Sequence, residues 1–159
     1  MTVYAVKVLL TTSVGNITIE LYDDMPITSG NFKNLTLRRI FDGTIFHRVV
    51  HDFVIQGGDA SVKEIDVPNI PDELPNKHSN VRGSVAMAKT NESNSANSQF
   101  YINLKDNQRL DSNYSVFGKV TAGMDIVDAI GNTPTDANDR PLRDVTVTKA
   151  EYKKLPRTG

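Results

Sequence analysis

Arg48, Phe53 and Gln56 are the residues with the most to say about chemistry. They lie in the run Phe46-His47-Arg48-Val49-Val50-His51-Asp52-Phe53-Val54-Ile55-Gln56-Gly57-Gly58-Asp59, which reads as strand with an arginine inside an apolar pattern. Arginine is almost never fully buried without a partner. An arginine and a glutamine on an apolar surface describe a binding face, a mainly hydrophobic pocket with a few placed polar groups. Such a face suits an apolar ligand that carries carbonyls, and a peptide is one.

Composition narrows the classes. The chain has 159 residues, 38% hydrophobic and 23% charged, enough for one domain (1–159) with a sizeable core. A formal net charge of −1 gives no electrostatic case for nucleic acid or an anionic membrane. The absence of cysteine excludes disulfides and thiolate chemistry. No apolar stretch is long enough to span a bilayer and no signal-peptide pattern is visible, so a cytoplasmic location is the expectation, with monomer as the default state.

The positioning elements follow from periodicity. Val3–Thr12 and Asn16–Tyr22 read as strands joined at Ser13–Asn16, with Ile17, Ile19 and Leu21 alternating against Thr18 and Glu20. Pro26 opens a helix that runs to about Arg39. Ala60–Asn80, rich in Pro, Asp and Asn, reads as a long surface connection. Gly83–Ala88, Ser98–Leu104, Val116–Val120 and Val145–Tyr152 read as strands, and the Asn- and Ser-rich Lys89–Asn97 as a loop. Met124, Val127 and Ile130 mark a second short helix ended by Gly131. Lys153–Gly159 reads as a frayed tail. Several short strands and two helices point to an all-β barrel or sandwich.

An ordered set of motifs carries a resemblance. Phe46-His47-Arg48 and Phe53–Asp59 are followed by Val81-Arg82-Gly83, Ala86-Met87-Ala88, Asn94-Ser95-Ala96, Ser98–Asn103, Leu110-Asp111, Val116–Val120 and Gly123-Met124-Asp125. From Val6 to Val147 this resembles the cyclophilin-type peptidyl-prolyl cis–trans isomerases, closer to the prokaryotic kind. The resemblance implies a mainly β fold, a closed eight-stranded antiparallel barrel capped by two helices. It implies an enzyme that accelerates rotation of X-Pro bonds and assists protein folding in unfolded or folded clients. It implies Arg48 as transition-state donor with Phe53 and Gln56 in the catalytic set. Val54, Tyr101 and Leu110 would complete the proline pocket. Ala88, Lys89, Gln99 and Tyr114 would lie along the substrate.

An X-Pro bond resists rotation because of amide resonance, with a barrier of roughly 18–20 kcal/mol. Lowering it needs no nucleophile, metal or cofactor, and none is expected. The alternative reading is a non-catalytic proline-binding scaffold, which would bind peptide without turnover. Four departures from the family pattern matter. Val54 replaces methionine, Tyr101 replaces phenylalanine and adds a hydroxyl at the pocket, and Lys89 replaces asparagine and implies a taste for acidic residues. Arg109 replaces the tryptophan of drug-sensitive members, so cyclosporin binding is expected to be weak.

Other signals carry less. His47 and His51 on one strand would stand roughly 13 Å apart, too far to share a zinc ion, and His47 reads as structural. His78 carries no signal in its loop. Asp136, Asn138 and Asp139 lack a glutamate at EF-hand spacing. The N-x-[ST] triplets at Asn16, Asn34, Asn91 and Asn113 are chance matches in a cytoplasmic chain.

Overall fold

The structure, a computed structural model, describes residues 3–157. Eight strands and two α-helices follow in the order β1 (Tyr4–Thr12), β2 (Asn16–Leu21), α1 (Pro26–Leu37), β3 (Arg48–Val50), β4 (Val54–Gly57), β5 (Ser84–Met87), β6 (Phe100–Asn103), β7 (Val116–Ala122), α2 (Met124–Gly131) and β8 (Val147–Pro156). Alternation works as expected in β2, where Ile17, Ile19 and Leu21 are buried and Thr18 and Glu20 are not. The β1–β2 turn is held by Thr12, whose Oγ1 accepts from the backbone N–H groups of Val14 and Gly15 and donates to the Gly15 carbonyl. Proline at its first turn starts α1, where a missing N–H costs nothing.

All strand pairs are antiparallel, in the spatial order β3-β4-β6-β5-β7-β2-β1-β8. The expected closed ladder is not formed: β3 and β8 are not paired with each other. Strand β3 has three residues, and the N–H of its central Val49 donates to the Asp139 carbonyl at 2.8 Å. The ends of the curled sheet are tied instead by the segment that precedes β3, which meets the first residue of β8 and the two residues before it. Gly43 and Phe46 donate to the carbonyls of Val147 and Val145, Val147 donates back to Thr44, and Ile45 bridges Thr146.

Inside the curl, Phe32, Phe41, Phe46, Phe100 and Phe117 are almost fully buried. Their rings meet edge-on or tilted at centroid distances from 4.8 to 6.0 Å. Each such burial stabilises the fold by about 1.5–3 kcal/mol. Helix α1 packs on β7 and β8, and α2 on β2, β3 and β4.

Two elements differ from expectation. The run from Phe46 to Asp59 is not one strand but a hairpin, β3 and β4 joined through His51-Asp52-Phe53, with Asp52 in the left-handed region at φ 56°. The assumed linear spacing of His47 and His51 therefore does not hold, although among the described residues no cluster of three metal-ligating side chains occurs. Lys153–Pro156 is not a tail: it extends β8 and pairs with Tyr4–Lys7. Thr158 and Gly159 lie outside the described residues.

Candidate active site

Register builds the site. Arg48 lies opposite Gln56, Gln56 opposite Tyr101, Tyr101 opposite Ala86, and Ala86 opposite Val116. Residues directly opposite in antiparallel strands share a face, so one row across β3, β4, β6, β5 and β7 places Arg48, Gln56 and Tyr101 together on the face turned away from the phenylalanine core. The tight backbone after Gln56 requires glycine. Gly58 sits at φ +80°, and a Cβ there would stand 2.7 Å from the Phe100 ring and 2.9 Å from the Ser98 carbonyl oxygen.

This face carries a cavity of about 370 Å³. Phe53, Val54, Tyr101 and Leu110 supply apolar walls, Ala88 and Tyr114 line it further, and Arg48, Gln56 and Lys89 are its polar members. Gln99 lies beside it, in an adjoining groove of about 200 Å³ that shares Gln56, Ala88 and Lys89. The ten residues expected to form the site line these two adjoining depressions, whereas Arg109 lines neither. Phe53 is fixed by its own backbone: its carbonyl accepts from Leu104 N–H at 2.9 Å and from Asn107 Nδ2 at 3.1 Å. Leu110 is presented by the 3-10 turn Gln108–Leu110.

The polar groups form a chain. Arg48 Nη1 donates to Gln56 Oε1 at 3.2 Å, and Gln56 Nε2 donates to Gln99 Oε1 at 2.9 Å. Gln56 thus orients the guanidinium while Gln99 orients Gln56. Burial lowers the pKa of neighbouring His47; Asp59 opposes that shift, and Arg140 and Arg48 reinforce it.

Two sequence expectations are corrected. The Tyr101 hydroxyl is not offered to the pocket: it donates to Asn80 Oδ1 at 2.7 Å beneath it. Burial raises its pKa far out of range, with Tyr114 and Asp111 adding to the shift. Lys89 is not an open charge either. Its Nζ donates to Asp72 Oδ2 at 2.9 Å, with the two side chains only 9% and 13% exposed.

Sequence reasoning missed the residues underneath. Asn80 is fully buried and also accepts from Asn103 Nδ2. Its N–H and Nδ2 donate to Asp111 Oδ1 at 2.7 and 2.8 Å. Burial raises the Asp111 pKa, but hydrogen bonds from Ser79 and Asn80 outweigh it and leave the pKa lowered. Asn80 therefore links the Tyr101 wall to the turn that carries Leu110. Its only sequence signal is an asparagine closing a polar loop.

The family described as cyclophilin type peptidyl-prolyl cis-trans isomerase matches residues 7–152, and the chain belongs to it. A peptidyl-prolyl cis-trans isomerase of Acinetobacter baylyi is 41% identical, covering 91% of this chain and 84% of that protein. One from Streptomyces antibioticus is 42% identical, with coverages of 89% and 95%. Among solved structures, a cyclophilin-type isomerase of Cryptosporidium parvum, in the presence of the dipeptide Ala-Pro, superposes with a TM-score of 0.84 at 25% identity. It covers 96% of this chain and 99% of its own.

Proposed function

We propose that the cavity holds the proline ring of an X-Pro peptide and that Arg48 donates to the twisted amide. The observation that carries this is the Arg48–Gln56–Gln99 chain at the edge of the apolar depression. As the amide leaves planarity its nitrogen becomes pyramidal and basic, so a fixed guanidinium stabilises the twisted state more than either planar isomer. Phe53, Val54, Tyr101 and Leu110 hold the ring. Gln56 and Gln99 keep the donor aimed and bond the peptide backbone, and Ala88, Lys89 and Tyr114 flank the path of the chain. No metal or cofactor takes part.

The substrates are X-Pro segments of folding or folded client proteins, met by a cytoplasmic monomer of one domain, with weak cyclosporin affinity because Arg109 takes the place of tryptophan. NMR exchange or a protease-coupled assay on an X-Pro peptide tests the reading. Arg48→Ala is expected to lower kcat/KM by about 10²–10³-fold, the size of one lost transition-state donor. Undiminished turnover in Arg48→Ala would overturn it.

A further inference from the structure

We propose that Arg109 is a specificity-determining residue that favours an acidic side chain flanking the proline; the inference rests on the isomerase reading above. Arg109 lies in the same 3-10 turn as Leu110, and its guanidinium carbon stands 5.1 Å from the centroid of the Phe53 ring. That places a positive charge at the rim of the cavity, over the face of the aromatic ring that forms the cavity wall.

What surrounds it makes the charge available to a ligand. The ion pairs among the described residues engage His78, Arg82, Lys89, Lys119, Arg140, Lys149 and Lys153, and neither Arg109 nor Arg48. No acidic residue lines the cavity or its adjoining groove. The obvious competitor, Lys89, already has its charge matched by Asp72. Arg48 reaches into the cavity, where the reacting amide sits, and leaves Arg109 to meet a neighbouring residue. A carboxylate arriving beside the proline meets unmatched guanidinium without displacing any protein carboxylate, whereas a lysine meets only repulsion.

The site is exposed, so the effect is of the size of a surface ion pair and fades with salt as the screening length shortens. It raises binding without acting on the twist itself, so it belongs in KM.

The test compares peptides with Glu, Gln or Lys placed immediately before or immediately after the proline, assayed at low and high salt by NMR exchange. At one of the two positions, Glu is expected to exceed Gln in kcat/KM by about two- to fivefold at low salt, through KM, with the ratio shrinking at high salt. Arg109→Gln should bring the Glu-to-Gln ratio to one, Arg109→Lys should restore it, and Arg109→Glu should turn the preference toward Lys. Equal rates for Glu and Gln at both positions in the wild type, or a preference that survives Arg109→Gln, would overturn the inference. Failure of the wild type to turn over even the Gln peptide would instead overturn the isomerase reading, so the two failures are distinct.

Discussion

The two faces of strands β4 to β7 are made from residues that alternate along each strand, and they do opposite things. One face sends Ile55, Val85, Met87, Phe100, Ile102 and Phe117 into a sealed core. The other sends Val54, Ala86, Tyr101 and Val116, with Ala88 just past β5, into a smaller cluster against which Tyr22, Phe53, Leu110 and Tyr114 pack only partly buried. The sealed face fills its volume with phenylalanine. The open face puts alanine beside a single buried ring, Tyr101, and leaves Phe53 and Tyr114 only partly covered, so a depression stands in place of a core. Period-two alternation thus yields a scaffold and a site at once, and rigidity on the first face is what holds the second to its geometry.

The sharpest way to break that comparison is to remove one ring from each face. Phe100→Ala should lower unfolding free energy by about 3–5 kcal/mol, read from urea denaturation, because its cavity cannot drain to solvent. Phe53→Ala should cost about 1 kcal/mol, as a half-exposed ring leaves little cavity, yet lower X-Pro turnover more steeply. Comparable stability losses in the two would mean that the open face is core as well. A smaller effect comes from the seam between the site and the long connection. Asp72→Asn removes the partner of Lys89 and should cost about 1.5–3 kcal/mol, seen as a drop in Tm. No change would mean that the Lys89–Asp72 contact is a solvated surface pair.

Most of the scaffold was legible because it obeys short-range rules. β2 alternates strictly, Pro26 starts α1, and Met124, Val127 and Ile130 fall at helical spacing. The β3–β4 hairpin was not, because its turn uses Asp52 at φ 56° and offers no glycine to mark the reversal. Reading through that turn hid the reason Arg48 and Gln56 belong together: they are cross-strand partners, and the eight-residue spacing is the length of the hairpin. The residue types lining the pocket were legible, but the destinations of their polar ends were not. Lys89 finds its carboxylate seventeen residues back in an irregular connection, and the Tyr101 hydroxyl finds its acceptor twenty-one residues back in Asn80. Irregular loops carry no periodicity from which such contacts follow.

The smallest expected effect tests how the open face is supported from below. Tyr101→Phe removes the bond to Asn80 Oδ1 but keeps the ring that lines the cavity. Asn80 Oδ1 still accepts from Asn103 Nδ2 at 3.1 Å, so no buried acceptor is orphaned, and the loss should be about 1 kcal/mol. Asn80→Ala should cost more, because it also removes the Nδ2 donor to Asp111, though the backbone N–H stays, and loosens the turn behind Leu110. A double-mutant cycle between the two positions should return a coupling of about 1 kcal/mol. Zero coupling would mean that the two walls stand independently and that Asn80 acts through Asp111 and Asn103 without Tyr101. A coupling of the expected size, with peptide affinity shifting further in Asn80→Ala than in Tyr101→Phe, makes the buried amide the strut between the ring wall and the Leu110 turn.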